Sequence, residues 1–188
     1  RGRQGHVALG LTYIRKSAED LTAGADRHVT LSASTAFASF WMLPRLARFR
    51  ADLPGIDLRI QTSDRDLDLI AENLPLGIRM GRARSWAGCD DAVLAEEEVT
   101  AIVAPAYVEQ HGLPASDAEI AEHRLIHLEE PFRPAADWED WFADLGLPPP
   151  SRANGLMIND YVLVVQAVLG GQGIALGWRR PSARSDAA

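Results

Sequence analysis

The sequence predicts an α/β fold built on largely parallel sheets. From His28 onward, short runs that alternate in strand fashion are interleaved with stretches that carry helical spacing. That alternation requires helices crossing over the sheet faces between strands, which is what defines the class. The 188 residues hold one cysteine, so no internal disulfide framework or Cys-based zinc site takes the place of a core. With 47% hydrophobic and 24% charged residues, the chain has an ordinary globular composition. Its length suits one large domain or two small ones, enough to bury ~70% of the unfolded surface.

The elements follow in order. Residues 7–21 place Val7, Leu9, Leu11, Ile14, Ala18 and Leu21 on one stripe of a helix, which Gly24 and a polar stretch bring to an end. Residues 29–34 alternate as a strand. Residues 35–50 carry Phe37, Phe40, Trp41, Leu43, Leu46, Ala47 and Phe49 at helical spacing, with Pro44 either kinking the helix or starting its regular part. Pro54-Gly55 makes a turn, 57–62 the next strand, and Ser63 or Asp64 the cap of a short helix through Leu67, Ile70 and Ala71. Residues 76–80 form a strand and 82–92 a polar loop. Strand 99–104 leads into a helix opened by Pro105, and Ser116 with Glu119 has the capping-box spacing. Strand 124–129, a helix over 137–145 stopped by Gly146, and a stiff Pro148-Pro149-Pro150 loop come next. Residues 156–158, a helix over 160–169, Gly170-Gly171 and strand 174–177 complete the pattern, and 181–188 is polar.

Charge excludes one partner class for this stretch of chain. The formal net charge is −7, and five basic against three acidic side chains in residues 1–27 leave −9 for the rest. An acidic body is a poor match for a phosphate backbone, which clustered Lys and Arg must neutralise. The longest apolar run, 161–171, is interrupted by Gln166 and falls short of the ~20 residues of a membrane span. With a lone cysteine and no signal-peptide pattern at the N-terminus, the expected compartment is the cytoplasm.

Catalytic signals are missing. No Gly-x-Ser-x-Gly elbow occurs, and Cys89 stands beside Asp90 and Asp91, which oppose thiolate formation. Gly170-Gly171-Gln172-Gly173 follows a helix and precedes a strand, the reverse of a phosphate loop. His123 and His127 flank a strand-like run, where positions four apart lie ~13 Å from one another, too far for one metal ion. The remaining polar residues gather where strands end and helices begin: Ser34-Thr35, Thr62-Ser63-Asp64 and Asn159-Asp160. They are either helix caps or the rim of a ligand site, because open α/β sheets bind ligands beyond the carboxyl ends of their strands.

The segment VTLSASTAFASFWMLPRLARFR (29–50) followed by PGIDLRIQTSDR (54–65) resembles the start of the effector-binding domain of LysR-type transcriptional regulators. The branch it resembles includes the glycine-cleavage operon activator. LGIRMGR (76–82) is similar to the family's first crossover strand and EEEVTAIVAPAYV (96–108) to its second. RLIHLE (124–129) and NDYVLVVQAVLGGQGIALG (159–177) follow in the family's order. The resemblance implies two α/β subdomains joined by two crossover strands, as in type II periplasmic binding proteins, preceded by a linker helix. On that reading, 1–27 is the linker helix and connector, 28–80 subdomain I, 81–178 the crossover and subdomain II, and 179–188 a disordered tail.

It further implies a small-molecule effector in a cleft between the subdomains, with no cofactor, metal or catalytic residue. Carried over by position, subdomain I offers Ser34, Thr35, Phe37, Thr62, Ser63 and Asp64. The crossovers offer Met80 and Gly81, and Val103 and Ala104. Subdomain II offers His127, Glu129, Asn159 and Asp160. Arg79 either pairs with a carboxylate or supports its strand. The implied assembly is a homodimer or tetramer, with the helix around 44–50 against the second subdomain of a neighbour. Operator DNA is contacted by a winged helix-turn-helix that the family places ahead of the linker helix. Residues 1–27 match only that linker, and 178–188 do not match the segment that completes the fold, so the chain reads as a fragment or an early-ending frame. A transporter's solute-binding protein shares the fold but begins with an export signal. An enzyme on the same scaffold would use His127, Glu129, Asp160 and Asp64, which no spacing ties together.

Overall fold

A computed structural model describes residues 28–65, 67–80, 88–130, 136–150 and 155–179. The expected linker helix and Gly81 lie outside the described residues. The chain forms two compact units, residues 1–96 and 97–188.

In the first unit, β1 (His28–Ala33) lies between β2 (Asp57–Thr62) and β3 (Leu76–Gly77), all parallel. The central place of β1 explains its composition. Val29, Leu31 and Ala33 are buried on one side and Ser32 on the other. Leu31 and Ala33 join Ala38 and Met42 in a core covered by Phe37, Trp41, Leu58 and Ile60. The helix expected over 35–50 is broken into short pieces: α1 (Thr35–Phe37), a π turn over Ala38–Met42, a 3-10 turn over Leu43–Arg45, and α2 (Leu46–Asp52). Pro44 is the cause. It has no N–H to donate and its ring crowds the carbonyl four residues back, so regular helix resumes only after it. Arg45 Nη1 donates to the Trp41 carbonyl at 3.0 Å, with its guanidinium 4.9 Å from the Trp41 ring centre.

The short helix expected after Ser63 is not formed among the described residues. The Asp68 carboxylate accepts from the Ile70 and Ala71 N–H groups instead, closing a turn. Ser63 Oγ accepts from the Arg65 N–H, and Asp64 is engaged elsewhere.

The second unit is a four-stranded sheet in the order β4 (Glu98–Ile102), β7 (Ile174–Arg179), β5 (Leu125–Leu128), β6 (Leu156–Ile158). β5, β6 and β7 are parallel, and β4 runs antiparallel to β7. The segment resembling the second crossover strand is therefore paired into this sheet through Glu98–Ile102. Arg179, placed in the tail by the sequence, is the last residue of β7 and bonds Glu98.

Both sheet faces carry a core. On one side α3 (Pro105–His111), the 3-10 turn Ala118–Glu122 and α4 (Trp138–Asp144) bury Tyr107, Ile120, Trp138 and Phe142 against Leu125, Ile174 and Leu176. On the other, α5 (Tyr161–Leu169) buries Val164 and Val168 against Ile126 and Ala175. Gly171, at φ 68°, ends α5 by turning the chain so that its own N–H and that of Gln172 reach the carbonyls of Val168 and Ala167. The glycine run thus closes a helix and leads into β7. Among the described residues no helix is long and apolar enough to cross a membrane.

Candidate functional site

The polar residues of the first unit meet at the carboxyl ends of β1 and β2. Ser34 caps α1, its Oγ accepting from the Phe37 N–H at 3.1 Å. The next residue, Thr35, donates its N–H (3.1 Å) and its hydroxyl (2.9 Å) to the two oxygens of Asp64. The Ser63 N–H reaches the Ala33 carbonyl at 2.9 Å, carrying the ladder one step beyond Thr62. Asp64 is thereby a clasp between two strand ends, and Ser34, Thr35, Ser63 and Asp64 are brought together. Thr62 is exposed at the end of β2. Phe37 stacks on Trp41 at 5.0 Å and packs on the core. Met80 is exposed. Arg79 reaches under the sheet: its Nη2 donates to the fully buried Ser32 hydroxyl at 2.8 Å and its Nη1 to the Ile78 carbonyl at 3.0 Å.

In the second unit Leu125 pairs with Ile174 and Leu128 with Ile158, so Glu129 and Asn159, just past the ends of β5 and β6, come level with Trp178 near the end of β7. A cavity of about 120 Å³ opens there, with His127, Glu129, Asp137, Trp138, Met157 and Trp178 among its lining. His127 is 6% exposed. Its ring fits because residue 155 is glycine: a Cβ there would stand 2.5 Å from the imidazole Cδ2 and Nε2. Trp138 is fixed by donating its indole N–H to the Ile126 carbonyl at 3.0 Å. Asp137 caps α4, accepting from the Asp140 N–H at 2.9 Å.

Asp160 caps α5, one oxygen accepting from the Val162 and Leu163 N–H groups at 2.7 and 3.3 Å. The neighbouring Tyr161 meets the Trp178 ring edge-on at 4.6 Å, and burial raises its phenol above the ordinary value of 10.0. Val103 lies apart from His127 and Glu129, in a second opening of about 320 Å³ with Leu113, Ser116, Ile120 and Trp141. Ala104 is buried under α5. His123 accepts from or donates to the Tyr107 hydroxyl at 3.3 Å.

Of the expected site residues, His127 and Glu129 line one cavity, Asn159 is level with it, and Asp160 follows. Sequence reasoning missed Gly155, Asp137, Trp138, Met157 and Trp178. Three carried a readable signal: Asp137-Trp138 opens the helix after β5, and Trp178 stands at the carboxyl-terminal end of the last strand.

Residues 22–184 match the model of the LysR substrate binding domain family. The chain is 31% identical over 148 residues to the glycine cleavage system transcriptional activator of Escherichia coli K12, covering 79% of this chain and 47% of that protein. It is 33% identical over 149 residues to the HTH-type transcriptional activator AmpR of Pseudomonas aeruginosa, covering 79% and 48%. The chain therefore spans about half the length of the curated relatives it matches. Among solved structures, the effector domain of P. aeruginosa AmpR superposes with a TM-score of 0.63 at 30% identity, covering 83% of this chain and 79% of that one. The regulatory domain of CrgA from Neisseria meningitidis has the same fold, with a TM-score of 0.64 at 19% identity, covering 80% and 72%.

Proposed function

Because this chain belongs to the LysR substrate-binding domain family, we propose that it senses a small molecule on behalf of a DNA-binding transcription regulator in the cytoplasm. The observation that carries the reading is the cavity at the carboxyl ends of β5, β6 and β7, where an open α/β sheet holds its ligands. We assign effector contact to Ser34, Thr35, Thr62 and Ser63 in the first unit and to His127, Glu129, Asn159 and Asp160 in the second. The chain performs no catalysis on this reading. Among the described residues, the side chains around the cavity include no nucleophile held by a base. An effector that binds one conformation of the domain better than another shifts the population toward it, and the linker helix passes that bias to the DNA-reading part of the protein. Operator DNA is gripped by a winged helix-turn-helix, not by this acidic domain.

Self-association belongs to the same proposal, as a homodimer or tetramer. Supporting it, Phe40 and Leu43 on the first unit and Leu163 and Leu169 on α5 are large, apolar and exposed. The test is a thermal-shift screen of small metabolites, repeated with His127→Ala and Asp160→Asn, the latter keeping the helix cap. A sensor gains stability with its effector, loses that response in the variants and returns the ligand unchanged. A ligand consumed on incubation makes the protein an enzyme.

A further inference from the structure

We propose that the opening beside β4 in the second unit is a binding site for a small aromatic molecule, seated ring first, and is separate from the effector seat at the ends of β5, β6 and β7. Among the described residues, none lines both openings. At about 320 Å³ this one is the larger. A cavity of roughly 150 Å³ walled by leucine, isoleucine and phenylalanine holds a benzene ring, so one ring fits here with space for a substituent.

Polarity falls with depth, and that gradient selects the occupant. The floor is Ile120 and Ile174, 7% and 2% exposed, both part of the core on this face of the sheet. Ala101, Val103 and Trp141, partly buried against that core, make the walls. Trp141 is set in place by edge-on contacts with Trp138 at 5.5 Å and Phe142 at 5.2 Å, so its ring is preorganised to receive another. Ser116 and Asp117 are exposed and put a hydroxyl and a carboxylate at the rim, where Leu113 forms an apolar lip. A polar group carried to the floor would lose its water against isoleucine side chains that offer it no hydrogen bond, whereas a substituent left at the rim keeps its solvent.

The experiment is an NMR titration of the full chain with benzyl alcohol, and with myo-inositol as a six-membered ring that is polar all round. Benzyl alcohol is expected to move the Trp141 indole signal and the Ile120 and Ile174 methyl signals with roughly millimolar affinity, and myo-inositol to leave them in place. Ala115→Trp puts an indole into the opening from an exposed loop position, so the chain folds and benzyl alcohol binding there should be lost. Leu113→Ser removes the lip and should weaken binding roughly three- to tenfold. Myo-inositol binding there as well as benzyl alcohol overturns the ring-first seating. Benzyl alcohol shifts that persist in Ala115→Trp, or that fall only on His127 and Trp178, overturn the site and leave the effector-sensing reading intact. The absence of any shift does the same.

Discussion

The two units solve the same problem at their strand ends in different ways. In the first, the polar groups are spent on one another: Ser34 on the Phe37 N–H, Thr35 on Asp64, Ser63 on Arg65. In the second, the strand ends leave a cavity, and Asp137, the cap of α4, is part of its lining. The cores differ in parallel. Among the described residues the first unit has one hydrophobic cluster, under a helix broken by Pro44, whereas the second has clusters on both sheet faces. The comparison teaches that the second unit is the better-supported scaffold, and it is the one in which we propose that ligand chemistry is selected.

Substitutions sharpen this contrast, beginning with the largest effect. Phe142→Ala empties the core on the α4 side of the second sheet and should cost about 3–5 kcal/mol in urea denaturation. Met42→Ala, under the broken helix, should cost about 2 kcal/mol. The reverse order would break the comparison of scaffolds.

Gly155→Ala comes next. Its methyl must displace the His127 ring, costing about 1–3 kcal/mol of stability and weakening effector binding, both read by calorimetry. Asp64→Ala unclasps Thr35 from the end of β2 and should lower stability by about 1–2 kcal/mol in urea denaturation.

The smallest effect is confined to high pH. A folded-state phenol pKa above 10.0 means that Tyr161 contributes fully below that value, and its contribution is lost as pH rises through the raised pKa. Tyr161→Phe should flatten that alkaline decline in thermal unfolding.

Much of the architecture was legible in the sequence because strand and helix periodicities are local properties. β1, β2 and β5 lie within a residue or two of the expected spans. The helix after Ser63 was not legible, since Asp68 diverts the backbone N–H groups that a helix would need. Nor was the way Pro44 divides the first helix, which depends on how neighbouring turns absorb the missing hydrogen bond. At the site, His127 and Glu129 were readable as the end of an apolar strand. Gly155 was not, because its role is defined by a ring on the adjacent strand. Only the register of β5 with β7 brings Trp178 level with Glu129.

The most direct measurement is the calorimetric affinity of one effector from the metabolite screen for the unaltered chain and for Thr35→Val, His127→Gln and Glu129→Gln. The second-unit variants should weaken binding by roughly tenfold or more and Thr35→Val by less, with the effector recovered unchanged. Undiminished affinity in both second-unit variants would contradict the seating of effector selection at the ends of β5, β6 and β7.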